Sequence, residues 1–389
     1  MKIIAAGAFG LEAIIKRELI ALGYDAHVDQ PGRVCFAGDW LAVCRANLWL
    51  RTADRVLIEV LKFDSPDFEA LFETVKAFDW SEYLPADAQF PVNGKSRLST
   101  LTSVPAIQRS VKKAIVESLM RVHDTSHLPE SGAEYPIEIA LLNDTATVTL
   151  DTTGASLHKR GYRTLNAEAP LKETLAAALI DLSVWHPDRL LVDPFCGSGT
   201  IPIEAAMIGM NIAPGLHREF ACEQWPVVGS TTWADAKQAA HDLIRHDREL
   251  QIIGCDRDNR VLELARFHAD KAGVKNQLRF EHRDFNNLES GVEYGCIVTN
   301  PPYGERLEDE DAVRELYEDI PVVMKHLPTW SLFLITSFPG FELTIGKEAD
   351  RRRKLYNGRI QCTYYQYLGP RPPRGYFPDH RNPSEVPLD

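Results

Sequence analysis

The spacing of apolar residues switches repeatedly between the alternation of a strand and the three-to-four-residue recurrence of an amphipathic helix. Early strand-like runs fall at Lys2–Ala6, Val34–Ala37, Val56–Val60 and Phe90–Val92. Two more, Ile137–Leu141 and Ala146–Asp151, flank the turn Leu142-Asn143-Asp144-Thr145. Between them the spacing predicts helices over Leu11–Ile20 (stopped by Gly23), Trp40–Leu50, Asp67–Phe78 and Ile107–Met120.

The second half alternates more regularly. A helix over Ala169–Leu179 carries Pro170 near its start. Strands are expected at Arg189–Phe195, Gln251–Asp256, Leu278–His282, in the run leading into Asn300, and at Ser331–Thr336. Helices are expected after Gly199, up to Arg248, over Arg260–Ala272 before Gly273, and over Ala312–Leu327. Residues 211–235, with Pro214, Pro226 and Gly229, look like an insertion, and Lys354–Leu368 reads as a hairpin over Asn357-Gly358. Strand–helix alternation of this kind builds a parallel, doubly wound α/β sheet. The expected division is an α/β unit at 1–60, a second at 61–155, a connector at 156–164, the alternating unit at 165–369, and a proline-rich, disordered 370–389.

Composition narrows the class. Of 389 residues 44% are hydrophobic and 25% charged, enough apolar material for several cores. No apolar run reaches the ~18 residues of a membrane span, and the N-terminus runs straight into a charged helix, so a cytoplasmic location without membrane contact is expected. Seven cysteines without a CxxC pair point to buried thiols in a reducing compartment, with no metal cage. The net charge of −12 argues against nucleic acid, but unevenly. Residues 1–165 carry 18 Lys+Arg against 21 Asp+Glu, and the remainder 25 against 34, so most of the excess acid lies in the second half, for instance at Glu308-Asp309-Glu310-Asp311.

Two stretches carry chemistry. In Leu190-Leu191-Val192-Asp193-Pro194-Phe195-Cys196-Gly197-Ser198-Gly199-Thr200 a buried strand ends in an acid and turns through two glycines into a helix, whose free N–H groups face the turn. It is not a P-loop, because Gly199 is followed by Thr200-Ile201, nor a dinucleotide fingerprint, because Pro202 stands where the third glycine belongs. An acid and two glycines suit a cationic ligand with a ribose. The second stretch, Asn300-Pro301-Pro302-Tyr303-Gly304, also follows a buried strand and so belongs at the same sheet edge. Asn300 Oδ1 and the Pro301 carbonyl can accept N–H bonds, Pro302 stiffens the turn, and the Tyr303 ring offers a stacking face. Neither Cys196 nor Cys296 stands in a Pro-Cys setting suited to a thiol nucleophile.

Together these motifs resemble the class I S-adenosylmethionine (SAM)-dependent methyltransferases that modify exocyclic base amines. The wording Lys95-Ser96-Arg97, then Pro105-Ala106-Ile107-Gln108-Arg109-Ser110-Val111-Lys112-Lys113, is similar to the THUMP module of RNA-modifying enzymes, and a ferredoxin-like unit precedes it. The resemblance implies a Rossmann-like domain, with a seven-stranded, mostly parallel sheet and an antiparallel edge hairpin, after ferredoxin-like and THUMP domains. It implies SAM held by Asp193, Phe195, Gly197, Gly199, Thr200, Asp256 on the ribose hydroxyls, Arg257, Asp284 and Phe285 at the adenine, and Asn300. It places catalysis on Asn300, Pro301, Pro302 and Tyr303, and RNA on Lys95, Arg97, Arg109, Lys112, Lys113, Lys159, Arg160 and Arg163. The best match is to the enzymes that make N2-methylguanosine in 23S ribosomal RNA. A tRNA guanine-N2 enzyme, a DNA adenine-N6 enzyme and a non-catalytic assembly factor are the alternatives. Oligomeric state is not legible.

Overall fold

The structure, a computed structural model, describes residues 1–164, 171–303 and 310–377. Pro170, Gly304, Glu308 and Asp309 of the acidic run, and the tail beyond Phe377 lie outside them. The strands form two seven-stranded sheets.

The first sheet contains β1 (Lys2–Gly7), β2 (Ala26–Gln30), β3 (Arg33–Ala37), β4 (Ala53–Asp64), β5 (Val92–Arg97), β6 (Ile137–Leu142) and β7 (Thr145–Asp151), in the order β2-β3-β1-β4-β7-β6-β5. Four helices, α1 (Glu12–Ala21), α2 (Trp40–Trp49), α3 (Phe68–Ala77) and α4 (Val104–Val122), belong to this half. Ile3, Ala5, Val34, Phe36, Val56, Ile58 and Val148 share one buried cluster with Ile15, Val43, Leu71 and Ile115 of those helices. β4 crosses the expected division at 60/61, pairing with β1 over Ala53–Ile58 and with β7 over Leu57–Asp64. One hydrogen-bond ladder therefore joins both N-terminal units. β2 was not expected. It is an edge strand whose His27, Val28 and Asp29 are all exposed, so it carries no apolar alternation.

The second sheet contains β8 (Leu191–Asp193), β9 (Ile252–Asp256), β10 (Arg279–His282), β11 (Cys296–Thr299), β12 (Ser331–Thr336), β13 (Arg351–Asn357) and β14 (Ile360–Tyr367), ordered β10-β9-β8-β11-β12-β14-β13. Ladders among β10, β9, β8, β11 and β12 are parallel, and β14 returns antiparallel between β12 and β13. Its helices are α5 (Glu173–Leu182), α6 (Thr200–Gly209), α7 (Ser230–Asp242), α8 (Asn259–Lys271), α9 (Glu310–Lys325) and α10 (Phe341–Ile345). The hairpin turn is Gly358-Arg359, one residue later than expected, because Asn357 pairs with Ile360. All seven cysteines are buried and unpaired. Among the described residues no helix is long and apolar enough to cross a membrane. Tyr376 and Phe377, expected in a disordered tail, pack against Tyr294 and His186 at 4.7 Å each.

The two halves are packed together. The expected insertion is a plug: Trp225 stacks on Tyr135 at 4.5 Å and donates to the Glu134 carbonyl, while Cys222 N donates to the Thr152 carbonyl. The connector is interior as well. Arg160, 2% exposed, faces Glu204, 0% exposed, at 3.4 Å and donates to the carbonyls of Leu157 and Arg51. Tyr162 donates to the same carboxylate at 3.1 Å. Arg51 in turn donates to the Ile212 carbonyl, and its backbone N–H donates to Glu18, whose carboxyl is pushed up to about 7 by burial.

Removing one member of a buried pair strands the other, which typically costs about 3–5 kcal/mol. Arg160→Ala should therefore lower unfolding stability by about 3 kcal/mol or more, whereas the exposed neighbour Lys159→Ala should stay within ~0.5 kcal/mol. Denaturant titration followed by tryptophan fluorescence checks this, and equal effects would remove the pair from the structural core.

Candidate active site

Three adjacent parallel strands, β9, β8 and β11, end side by side, so Asp256, Asp193 and Asn300 stand in a row at one sheet edge. The turn after β8 is built by its glycines. Gly199 caps α6 at φ 84°, and a Cβ there would lie 3.0 Å from Ala265 Cβ and 3.1 Å from Phe280 Cζ. Among the described residues nothing lies within 4 Å of the position a Gly197 Cβ would take, so the backbone of that residue borders a space they leave open.

Asp256 fixes the turn from the neighbouring strand. Its Oδ2 accepts the Gly197 N–H at 3.0 Å and its Oδ1 the Asp258 N–H at 2.9 Å. Each oxygen keeps a second acceptor direction. Asp193 is 1% exposed and accepts from Thr299 Oγ1 at 2.6 Å and from the Phe195 N–H at 3.2 Å. Burial, reinforced by the Asp256 charge, pushes its carboxyl up to about 7 despite those bonds. The Thr299 hydroxyl thus ties the glycine turn directly to the Asn300 segment.

Asp284 and Phe285 follow β10. Asp284 caps a short turn by accepting the Asn286 N–H, and Phe285 is buried with its ring 5.2 Å from that of Phe195. Arg257 is exposed, with its carbonyl 2.9 Å from His282 Nε2. An open space beside Gly197, a carboxylate with spare acceptor capacity and two aromatic rings fit a ribonucleoside bearing a positive charge.

Just after β11 the Tyr303 hydroxyl donates to Asn300 Oδ1 and also meets the Cys362 thiol of β14. The sequence suggested work only for the Tyr303 ring, and the structure gives its hydroxyl a partner too. Tyr317 of α9 donates to the Pro302 carbonyl at 2.8 Å, fixing the turn from below. Pro301 is buried and Pro302 exposed.

The expected RNA contacts divide. Arg109, Lys112 and Lys113 line one groove of about 410 Å3 floored by Phe90, Pro91 and Val92. Lys112 lies 3.5 Å over the Phe90 ring and 2.9 Å from Glu130, and Lys113 lies 3.7 Å from Glu117. Lys95 is exposed and pairs with Glu138, and Arg97 and Lys159 are exposed. Arg160 and Arg163 are corrections. Both guanidiniums are enclosed by the protein, Arg160 on Glu204 and Arg163 on Glu173 at 3.1 Å, Ser198 at 3.2 Å and the Thr200 hydroxyl. Basic wording in a connector did not mean a surface. The Thr200 hydroxyl likewise faces Arg163.

Thr299, Glu204 and Glu173 were missed. Glu204 had a legible signal, a single charge inside the apolar helix that follows Gly199, which demands a buried partner. Among the described residues, metal-ligand types gather at His27, Asp29 and Cys35, within 4.8 Å of one another on β2 and β3.

Comparison with known proteins agrees with this layout. An RlmL ferredoxin-like domain matches residues 2–57, a THUMP domain residues 65–151, and an RMKL-like methyltransferase domain residues 160–366. YpsC of Bacillus subtilis (strain 168), described as a candidate RNA methyltransferase, is 47% identical over 367 residues, 94% of this chain and 95% of that protein. SMU.472, a candidate methyltransferase whose crystal structure contains SAH, is 45% identical with a TM-score of 0.91, covering 96% of this chain and 99% of that one. A Listeria monocytogenes str. 4b F2365 protein, described as a predicted N6-adenine-specific DNA methylase, is 51% identical with a TM-score of 0.91, over 95% of this chain and 96% of that one. By its sequence, its fold and the residues along its sheet edge, the chain belongs to the RMKL-like methyltransferase family, with RlmL-type ferredoxin-like and THUMP domains ahead of the catalytic sheet.

Proposed function

We propose that this protein is an RNA methyltransferase acting on an exocyclic base amine, with guanine N2 of 23S ribosomal RNA as its target. The methyl donor is S-adenosylmethionine, which when bound supplies an electrophilic sulfonium methyl group. One observation carries the reading: the Thr299–Asp193 hydrogen bond holds the nucleoside-binding turn and the Asn300 segment as one unit. The THUMP match favours RNA over the DNA substrate named for the Listeria relative.

In this reading Asp256 receives the ribose hydroxyls on its spare acceptor directions, and Phe195 and Phe285 flank the adenine, with Asp284 and Arg257 at its rim. Gly197, Gly199 and the first turn of α6 leave room for the amino-acid end. Asn300 Oδ1 and the Pro301 carbonyl accept the amine hydrogens of the target base. This concentrates electron density on a nitrogen whose lone pair is otherwise delocalised into the ring. The Tyr303 hydroxyl holds the Asn300 amide in orientation, and its ring faces the extruded base. The groove bearing Arg109, Lys112 and Lys113, together with Lys95 and Arg97, receives phosphates.

The decisive experiment maps modified nucleosides in ribosomal RNA from a strain lacking the protein. A missing N2-methylguanosine in 23S RNA, restored by the purified chain and SAM, is the expected result, and an unchanged nucleoside profile would end the target assignment. Asn300→Ala should cut methyl transfer by ~100-fold or more while SAH affinity holds. Asp256→Ala should weaken SAH by at least ~10-fold, as lost hydrogen bonds to a charged group imply. Calorimetry beside turnover separates the two.

Asp193 predicts a pH signature in the ligand-free chain. Its folded carboxyl titrates at about 7, above the ~3.9 of an unfolded aspartate, so the folded state holds the extra proton in that window. Its contribution is complete below pH ~4 and is lost as pH rises through about 7. Asn at this position can still accept from Thr299 and Phe195. Thermal unfolding of Asp193→Asn should match the parent near pH 4 and exceed it increasingly up to about pH 7, then run parallel. A constant offset across that range would contradict the assignment.

A further inference from the structure

We propose that the rim formed by the β13–β14 hairpin and the loop between β1 and α1 is an additional RNA-binding site, gripping the single strand that flanks the target base. The inference rests on the RNA methyltransferase reading and adds a contact surface to it.

Topology brings this rim to the reaction edge. β13 runs in the direction of β12, and Lys354 pairs with Thr363, which pairs with Thr336, the last residue of β12. Tyr356, Asn357, Gly358 and Arg359 therefore stand beyond the sheet edge on which Asn300 lies. The inner face of the hairpin carries the buried Leu355 and Cys362, and the Cys362 thiol meets the Tyr303 hydroxyl. The hairpin is thus a wall of the proposed base site.

Its outer rim has the chemistry of a single-strand binder. Phe9, 53% exposed, meets Tyr356 edge-on at 6.0 Å. The loop carrying it is seated firmly: Arg353 donates to the Gly10 carbonyl at 2.9 Å, and a Cβ on Gly10 would lie 3.1 Å from the Lys354 carbonyl. Lys354 lies 5.6 Å over the Tyr356 ring. Arg351, Lys354 and Arg359 are exposed and form no ion pair among the described residues, whereas Arg352 is neutralised by Glu342 at 2.8 Å. In a chain of net charge −12, three free cations beside a rigid exposed aromatic match a sugar-phosphate strand with a base to stack. Charges on an edge strand also deter sheet-to-sheet pairing, but that role accounts for neither Arg359 at the turn nor the exposed Phe9.

The test uses the full chain, with transcribed 23S ribosomal RNA and transcribed tRNA as probes. Lys354→Glu with Arg359→Glu should reduce affinity for the methylated RNA by ~10-fold or more at low salt and flatten its salt dependence. Phe9→Ala should reduce it by roughly 10-fold. In both, the KM for RNA should rise while kcat at saturating RNA, SAH affinity and thermal stability hold. Unchanged RNA affinity in both variants would overturn the proposal and leave the charges as edge protection. A parent chain that binds SAH but neither RNA would overturn the function reading itself, and this inference with it.

Discussion

Glu204 is a carboxylate in an otherwise apolar helix, and the arrangement of the molecule follows from satisfying it. Arg160 and Tyr162 reach it from the segment between the halves, and Arg160 also donates to the Arg51 carbonyl in the N-terminal half. A buried charge without such partners would cost several kcal/mol. The connector must therefore lie inside, and the N-terminal half must close over it. Arg163, three residues after Arg160, then falls against Ser198 and Thr200 at the head of the same helix. Helix α6 is thus anchored by the connector both at Glu204 and at the turn that opens it.

The fold was legible where burial imposes a period. Strands β8, β9, β11 and β12 are apolar on both faces and were readable from that alone. Edge strands escaped or shifted. β2 shows water three side chains in succession, and β5, expected at Phe90–Val92, is the polar Val92–Arg97. Their existence depends on a neighbouring ladder, which no local pattern records. The short α10 escaped for lack of length.

The site was legible in its motifs and not in its cross-links. Asp193, Asp256 and Asn300 announce themselves by standing at strand ends, but Thr299 looked like the last residue of a strand. Only the adjacency of β8 and β11 reveals that its hydroxyl meets Asp193. Charge was the least reliable guide. Lys159, Arg160 and Arg163 are equivalent as letters, yet one is in water and two are enclosed, a difference set by Glu204 and Glu173 far along the chain. The run Arg351-Arg352-Arg353-Lys354 was just as visible, and only its last residue entered the expected hairpin.

Strand β4 carries a consequence for mechanics. Because it is laddered to β1 on one edge and to β7 on the other, the N-terminal units have no hinge between them, since hinges need residues free to change φ and ψ. The groove beside α4 and the Phe9 loop consequently sit at fixed stations on one rigid caliper, and under the proposed function a folded RNA would be gauged by whether its contours span those stations together.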